Sequence, residues 1–319
     1  FVTEGRPQKD VDKLTTYMVI ATIVGARLGH CLFYNPSYYL SNPIEILKIW
    51  EGGLASHGAT IGILIAIWLF VRNTEGYTWL WVLDRLVIVV ALTGAMIRTG
   101  NLMNSEMEGT ETKANYGIVY ARGTKEALNF SEEIESIKFR KGGEMQSDEA
   151  GRHPVTAIIT FNRRSDFGQS DADKHTVESS LRNRLLTNRE VVEHIDFGSG
   201  PLQYKFDQKN GRQVLEIYGV GISRHAAQLY EATYCLLIMI LLYWLWSTRR
   251  DQLPSGFLFA LFNILLWSLR FVDEFFKMDQ EDFEADLPLN MGQWLSIPMF
   301  LMGVGVMIYI YQKRGIQKA

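Results

Sequence analysis

A polar segment at the end of an apolar run carries the side chains best suited to chemistry. The run extends from Leu80 to Met96, and the segment after it reads Arg98-Thr99-Gly100-Asn101-Leu102-Met103-Asn104-Ser105-Glu106-Met107-Glu108-Gly109. A guanidinium, two amides and two carboxylates are costly additions to a helix that is long enough to cross a membrane. An arginine that reaches the interface is the simpler explanation of Arg98 alone, but its neighbours favour a site for a polar group attached to an apolar one.

A second charged pair lies in an apolar run nearer the C-terminus. Arg270 and Glu274 are four residues apart, so a helix places them on one face. A structural salt bridge is the alternative, yet two charges in an apolar helix indicate a functional site by default. Arg98 and Arg270 together suit a lipid phosphate, because a guanidinium fork matches phosphate oxygens and stays charged.

A histidine begins another apolar run. His57 follows the glycine-containing segment Trp50-Glu51-Gly52-Gly53-Leu54-Ala55-Ser56. Histidine is the side chain that changes its charge near neutral pH, so His57 is a candidate to take a proton from a thiol or to pass one to a leaving group. A structural histidine at the start of a helix is the alternative.

By composition, the 319 residues form two apolar regions with a polar region between them that resembles a water-soluble protein. The net charge of −3 gives no support to nucleic-acid binding. Apolar runs that approach the roughly 20 residues needed to span a bilayer are 14–34, 57–72, 80–98, 229–247, 256–276 and 293–312. We therefore expect an all-α polytopic membrane protein with a small α+β insert. Its expected parts are an N-terminal membrane half (1–112), the insert (113–222) and a C-terminal membrane half (223–319).

Lysine and arginine residues are concentrated at alternate ends of these runs, which predicts the orientation. The positive-inside rule places residues 1–13, 73–79, 248–255 and the C-terminus in the cytoplasm. The polar segment at 98–109, the insert and the residues 277–292 are then expected on the extracytoplasmic side.

The insert contains strand and helix patterns. The residues 156–161 read as a strand, and 202–218 predict a hairpin that turns at Asn210-Gly211. A helix with one apolar face is predicted from Val177, Leu181, Leu185, Val192 and Ile195. The histidines lack metal-ligand spacing and are expected at the surface; they are His153, His175 and His194.

Several residues in the apolar runs have structural interpretations. Gly58 and Gly62 suit a close helix contact, and the two cysteines, Cys31 and Cys235, are expected to pack between helices and not to pair. Asp84 and Arg85 lie at the cytoplasmic end of the third apolar run and are expected to be interfacial anchors.

Taken together, these motifs resemble the bacterial prolipoprotein diacylglyceryl transferases. The segment 98–109 resembles the family signature G-R-x-G-N-F-x-N-x-E-x-x-G, with Ile97 in place of the first glycine and Leu102 in place of the phenylalanine. Further matches, in the family's order, are Gly25-Ala26-Arg27-Leu28-Gly29, Gly52-Gly53-Leu54-Ala55-Ser56-His57-Gly58, Arg224-His225 with Gln228-Leu229-Tyr230-Glu231, Arg270 with Glu274-Phe275-Phe276, and Met291-Gly292-Gln293-Trp294-Leu295-Ser296-Ile297-Pro298. The resemblance implies seven spans, of which six are seen here. The family's first helix, which bears an important tyrosine, is expected before the first residue.

The resemblance also implies an activity. A member of this family transfers the diacylglyceryl group of phosphatidylglycerol to the thiol of the lipobox cysteine in a prolipoprotein, the first step of lipoprotein maturation at the bacterial inner membrane. Glycerol 1-phosphate is the leaving group. The implied partners are phosphatidylglycerol, the prolipoprotein signal peptide and the lipid bilayer, and neither a cofactor, a metal nor a nucleic acid is implied.

The resemblance assigns the catalytic roles to a few residues. Arg98 and Arg270 bind the phosphate and stabilise the charge on the leaving group. Either His57 or Glu106 helps to deprotonate the thiol, because the thiolate is the nucleophile; an arginine-rich site that lowers the thiol pKa electrostatically is the alternative.

Asn101 and Glu274 are also implied as catalytic residues, and Asn104 and Gly109 as substrate-binding residues together with Arg98 and Arg270. Asn101 and Asn104 hold the head group, Glu274 orients Arg270, and Gly109 lets the loop turn. Arg27 and His225 complete the substrate-binding residues.

Two other functions are compatible with charged residues in a membrane. A transporter or channel would line its path with Arg98, Arg270 and Glu274, but its polar residues would continue to the cytoplasmic side, whereas here they are expected in the outer half. A non-catalytic scaffold that displays the insert would tolerate the loss of Arg98.

Overall fold

The computed structural model describes residues 1–114, 116–145, 147–163, 165–250, 252–278 and 287–318. Its helices, in chain order, are α1 (Gln8–Phe33), α2 (Pro36–Ser41), α3 (Ser56–Arg72), α4 (Trp79–Met103), α5 (Arg122–Leu128), α6 (Asp171–His175), α7 (Arg182–Thr187), α8 (Arg189–Val192), α9 (Ala227–Arg249), α10 (Phe257–Asp273) and α11 (Met291–Lys318). Its strands are β1 (Ile134–Lys141), β2 (Arg152–Phe161), β3 (Ile195–Asp196), β4 (Tyr204–Lys209) and β5 (Arg212–Ile222).

Each of the six apolar runs forms a helix. Within the described ranges, four helices are long and apolar enough to cross a membrane, namely Gln8–Phe33, Trp79–Met103, Ala227–Arg249 and Met291–Lys313. The other two, α3 and α10, have 17 residues each. The chain is therefore a mostly helical, multi-pass membrane protein that also contains a sheet, and the number of spans stays a prediction.

The chain folds as two compact units, of which the first comprises Phe1–Val89, Trp244–Phe262 and Gly303–Ala319. Here α1 and α3 touch through their backbones: a Cβ atom added to Gly29 would lie 2.6 Å from Cα of Gly58, and one added to Gly62 would lie 3.3 Å from Cα of Gly25. The predicted close contact of Gly58 and Gly62 is confirmed. Both cysteines are buried free thiols, as predicted.

Asp84 has a different role from the one expected. Its side chain is 3% exposed, and its carboxylate accepts from the backbone N–H groups of Gly256 (2.7 Å) and Phe259 (2.8 Å) at the start of α10. The expectation of an interfacial anchor is wrong, because the carboxylate satisfies amide groups that a helix leaves unpaired at its N-terminus.

The second unit comprises Val90–Tyr243 and Asn263–Met302. It contains an antiparallel sheet in the order β1-β2-β5-β3, with β4 also paired to β5. The predicted strand at 156–161 lies in β2, and the predicted hairpin is β4–β5. Its turn residues Asn210 (φ 54°) and Gly211 (φ 71°) are both left-handed, as the right-handed twist of a two-residue hairpin requires.

The predicted helix of the insert is only partly correct. A π-helical segment (Thr176–Leu181) joins α6 to α7, and Val177, Leu181 and Leu185 on this continuous helix are buried. The helix is interrupted at Asn188, whose side chain caps the separate helix α8. The interruption changes the helical phase, so Val191 is buried and Val192 is 42% exposed. The last predicted member of the helix, Ile195, instead lies in strand β3.

Candidate functional site

A carboxylate on α9 brings the two predicted arginines together. Glu231 Oε2 lies 2.9 Å from Nε of Arg98, which is on α4, and Glu231 Oε1 accepts a hydrogen bond from Nη1 of Arg270, on α10, at 3.1 Å. The side chain of Glu231 is 6% exposed. One buried carboxylate therefore fixes two guanidinium groups from different helices beside each other.

A buried lysine adds a third cation to this cluster. Nζ of Lys277 lies 3.0 Å from Oε2 of Glu231, 2.9 Å from Oε1 of Glu274 and 3.4 Å from Oδ2 of Asp273. Nη2 of Arg270 also lies 3.4 Å from Oε1 of Glu274, so the pair predicted from its spacing of four residues is formed. Three cations thus face three carboxylates, which is how buried charges are ordinarily tolerated.

The cluster is not sealed around the arginines. The side chain of Arg98 is 15% exposed and that of Arg270 is 22% exposed, whereas that of Lys277 is 3% exposed. Nε of Arg98 contacts Glu231 and its Nη1 contacts Met107 Sδ at 2.7 Å and Asn101 Oδ1 at 3.4 Å, but no residue that the structure describes accepts from its Nη2. The arginines are held on one side and keep donor surface for an anion.

The segment from Asn104 to Gly109, here called the signature loop, turns directly after α4. Ser105 (φ 51°) and Met107 (φ 57°) are both left-handed, which is unfavourable for residues that carry a Cβ atom. Asn101 Nδ2 donates to Glu106 Oε2 at 2.9 Å, so the predicted amide and carboxylate are neighbours. The side chain of Asn104 is exposed, and its backbone oxygen accepts from Arg122.

Gly109 does not make the turn that was expected of it. Its φ is not positive; instead the backbone is packed tightly, because an added Cβ atom would lie 2.7 Å from both Cβ of His225 and the oxygen of Phe276. The N–H of Gly109 donates to the oxygen of His225 at 3.0 Å. The glycine is needed for close approach, and the loop turns at Ser105 and Met107.

His225 therefore contacts the signature loop through its backbone. Its ring Nδ1 lies 3.1 Å from Oη of Tyr230, and its ring packs on that of Phe276 at 5.1 Å. These contacts describe a partly buried ring beside the loop, and binding of substrate by His225 stays a prediction.

His57 and Arg27 belong to the first unit. His57 is exposed in the first turn of α3, with its ring 4.8 Å from that of Phe33. Arg27 is 4% exposed and donates to the backbone oxygens of Glu45, Ile46, Gly52 and Gly53. These contacts organise the loop before α3, whereas the predicted binding of substrate by Arg27 stays untested.

His194 was expected at the surface and is instead buried. It is 9% exposed, Nε2 contacts Glu108 Oε2 of the signature loop, and Nδ1 lies 2.7 Å from the backbone oxygen of Glu190. Position in a polar insert gave no hint of this, because Glu108 lies 86 residues away along the chain.

A cavity of about 520 Å³ lies beside the loop. Its lining combines residues of the signature loop with Lys277 of the ion cluster, and the insert contributes Tyr120, Arg122 and His194. A site that can bind a polar ligand is therefore built from the signature loop, from the segment that follows α10 and from the insert.

Comparison of the sequence with known proteins places this chain in a family. A sequence model of the family described as prolipoprotein diacylglyceryl transferase matches residues 2–309. The chain belongs to this family. Family membership therefore supports a transferase function for this chain, and it does not favour a transporter or channel.

Individual family members are similar over most of their length. A relative from Tolumonas auensis is 36% identical over 305 residues, which are 96% of this chain and 81% of the relative. Relatives from Chloroherpeton thalassium (30% identical, covering 100% of this chain and 83% of the relative) and Porphyromonas gingivalis (33%, 96% and 79%) are also similar. Each is named phosphatidylglycerol–prolipoprotein diacylglyceryl transferase.

Reasoning from the sequence did not assign three residues of the ion cluster. Glu231 stands in the segment that matches the family, and a carboxylate in an apolar helix is itself a signal of function. Lys277 is three residues after Glu274 and seven after Arg270, so helical spacing puts it near the same face. Asp273 carries the same signal as Glu231, because it is a carboxylate in an apolar run, but its neighbours Arg270 and Glu274 were chosen from their spacing.

Proposed function

We propose that this chain transfers the diacylglyceryl group of phosphatidylglycerol to the cysteine thiol of a prolipoprotein lipobox. In this reaction the thiolate sulfur attacks the glyceryl carbon, the bond from that carbon to the phosphate oxygen breaks, and glycerol 1-phosphate leaves with the bonding electrons. The product is a thioether. The proposed location is the bacterial cytoplasmic membrane, with the site on the extracytoplasmic side.

The observation that carries the proposal is the convergence of Arg98 and Arg270 on Glu231. If the two guanidinium groups faced apart, they would not bind one phosphate. Instead they contact opposite oxygens of one carboxylate, at 2.9 Å and 3.1 Å, and both remain partly exposed. Two fixed cations stabilise the growing negative charge on a leaving phosphate without reorganising during the reaction.

The signature loop supplies the polar groups of the proposed site. Asn101 holds Glu106 beside Arg98, and the side chain of Glu106 is 45% exposed and accessible to an incoming substrate. Asn101 and Asn104 hold the lipid head group in this proposal, and either Glu106 or His57 removes the proton of the thiol. A thiolate stabilised by the arginines alone is the alternative.

Apolar grooves support a lipid substrate. One, of about 410 Å³, is lined by Ala95, Met96 and Thr99 of α4 together with residues of α9 such as Ala232 and Thr233. The groove is lined by the same helical turns of α4 and α9 that carry Arg98 and Glu231. We propose that an acyl chain lies in this groove while the phosphate contacts the arginines, because burial of methylene groups favours such a position.

The proposed organisation follows the sequence. Six spans divide into residues 1–112 and 223–319 around the insert at 113–222, in a family that is expected to have seven. Residues 1–13, 73–79, 248–255 and the C-terminus lie in the cytoplasm, according to their positive charge. Of the residues 277–292, which are expected on the extracytoplasmic side, 279–286 lie outside the described residues.

The test is transfer of labelled diacylglycerol from phosphatidylglycerol to a lipobox peptide in detergent. We expect Arg98→Ala and Arg270→Ala each to lose about 100-fold or more in turnover, the size expected for one preorganised charge contact. Lys174→Ala is the control, because among the residues that the structure describes Lys174 pairs only with the exposed Asp171 of the insert. Unchanged turnover in both arginine variants would refute the proposal.

A further inference from the structure

The signature loop is held in an unfavourable conformation by groups outside it. Two left-handed residues with side chains, Ser105 and Met107, flank Glu106. Such residues cost of the order of 1 kcal/mol or more each and persist only where the surroundings fix them. The position of Glu106 therefore depends on the anchors of the loop.

The anchors come from different parts of the second unit. Gln228 Nε2 donates to the oxygen of Glu106 at 2.6 Å, and Arg122 Nη1 donates to the oxygen of Asn104 at 2.8 Å. The third anchor, between His194 and Glu108, contacts a loop side chain instead of the loop backbone. It joins two side chains that can both be charged, as does the longer contact of Arg122 Nη1 with Glu106 Oε1 at 3.5 Å.

The surroundings of His194 favour its charged form. Both ring nitrogens face acceptors, Glu108 Oε2 at Nε2 and the oxygen of Glu190 at Nδ1, and only an imidazolium donates from both nitrogens. Burial and the nearby Arg224 oppose the charge, but the hydrogen bond and the charge of Glu108 outweigh them, so the pKa of His194 is raised above its ordinary value of 6.5.

The other groups around His194 are consistent with this. The ring of Tyr120 lies 6.4 Å from the imidazole ring, and Lys277 lines the same cavity but is paired with three carboxylates. The side chain of Glu190 also lines the cavity and adds a negative charge on the helix that carries the Nδ1 acceptor.

We propose that His194 is a positioning residue: as a cation supplied by the insert it holds Glu108, and thereby fixes Glu106 and Met107 of the signature loop against Arg98. This inference rests on the proposed function, since it describes how that site is kept in its working geometry. It assigns to the insert a direct role in the transfer reaction.

The sign of the pH dependence follows from the raised pKa. The ion pair contributes fully below about pH 6.5, the unfolded value for histidine, and its contribution is lost as pH rises through the folded pKa. The thiol of the substrate acts in the opposite direction, because it ionises as pH rises. Parent and variant must therefore be compared at each pH with the same peptide.

The experiment measures kcat/KM for diacylglyceryl transfer from pH 5.5 to pH 9, together with thermal unfolding, in the full chain. The variants are His194→Gln, Glu108→Gln and the double variant, and the control is His175→Gln, because His175 is an exposed histidine of the same insert. At pH 6 we expect His194→Gln to lose about tenfold or more, the size of a charge-assisted hydrogen bond. The ratio of parent to variant should approach one at high pH, and the second substitution should add little to the first.

The outcomes separate this inference from the function on which it rests. A parent without transfer activity overturns the proposed function and the inference together. An active parent whose pH profile is unchanged by His194→Gln overturns the inference alone. A loss that is the same at every pH, and that follows the loss of thermal stability, also overturns it, because that result describes packing of a neutral side chain.

Discussion

Glu231 is the residue whose removal tests the ion cluster most directly. Glu231→Gln keeps the size of the side chain but removes the negative charge that contacts Arg98 at 2.9 Å, Arg270 at 3.1 Å and Lys277 at 3.0 Å. Three cations are then left with the carboxylates of Glu274 and Asp273. Breaking a buried ion pair typically costs about 3–5 kcal/mol, and the amide retains one acceptor, so we expect about 3 kcal/mol of destabilisation.

The effect on activity should exceed what stability alone explains. Without the shared carboxylate, Arg98 and Arg270 lose their common anchor, and we expect kcat to fall about 100-fold, or ~2.7 kcal/mol of transition-state stabilisation. The KM for phosphatidylglycerol should change little or fall, because the site becomes more positive. The assay is steady-state diacylglyceryl transfer, measured well below the unfolding temperature of the variant.

Asp273→Asn is the matched control for this prediction. Asp273 and Glu231 are each 5% exposed, and both contact Lys277, but Asp273 contacts neither arginine among the described residues. The control should lose stability and only a few-fold of activity. Equal losses of kcat in the two variants would show that the arginines do not depend on Glu231, and the reasoning would be refuted.

Two further predictions concern packing and capping. Gly109→Ala should destabilise the protein by about 1–3 kcal/mol, because its Cβ would overlap His225 and the oxygen of Phe276, whereas Gly100→Ala, with nothing within 4 Å, should be neutral or stabilising; chemical denaturation of the pair measures both. Asp84→Ala should cost about 0.5–2 kcal/mol by removing the acceptor at the start of α10, and a melting temperature equal to that of the parent would contradict this.

Local patterns predicted the elements of this fold well. The apolar runs form helices because a helix satisfies the hydrogen bonds of its own backbone in an apolar surrounding. Asn210-Gly211 forms a hairpin turn because the two central positions of such a turn require a left-handed backbone, which asparagine and glycine adopt readily. The insert helix was predicted less well. Its interruption at Asn188 depends on a side-chain cap, which hydrophobic spacing does not reveal.

The site was predictable where residues act within one helix and not where distant segments meet. The pair Arg270 and Glu274 follows from spacing alone. The contact between His194 and Glu108 joins positions that are 86 residues apart, so the spacing of residues along the sequence does not predict it. The role of Gly109 in binding stays a prediction, but the turn expected of it was wrong, because a glycine in a sequence does not distinguish a turn from a close approach.

The contacts of Arg27 affect which changes of sequence the neighbouring loop can tolerate. Its guanidinium donates to main-chain oxygens at residues 45, 46, 52 and 53, and those oxygens are present whatever side chain each residue carries. These four contacts therefore do not depend on the side chains of the loop, unlike the ion pairs that Lys48 forms with Glu45 and Glu51 in the same loop. Substitutions at residues 45 and 46 can accumulate while their contacts with Arg27 are retained, whereas Gly52 (φ 86°) and Gly53 (φ 72°) are left-handed and resist substitution.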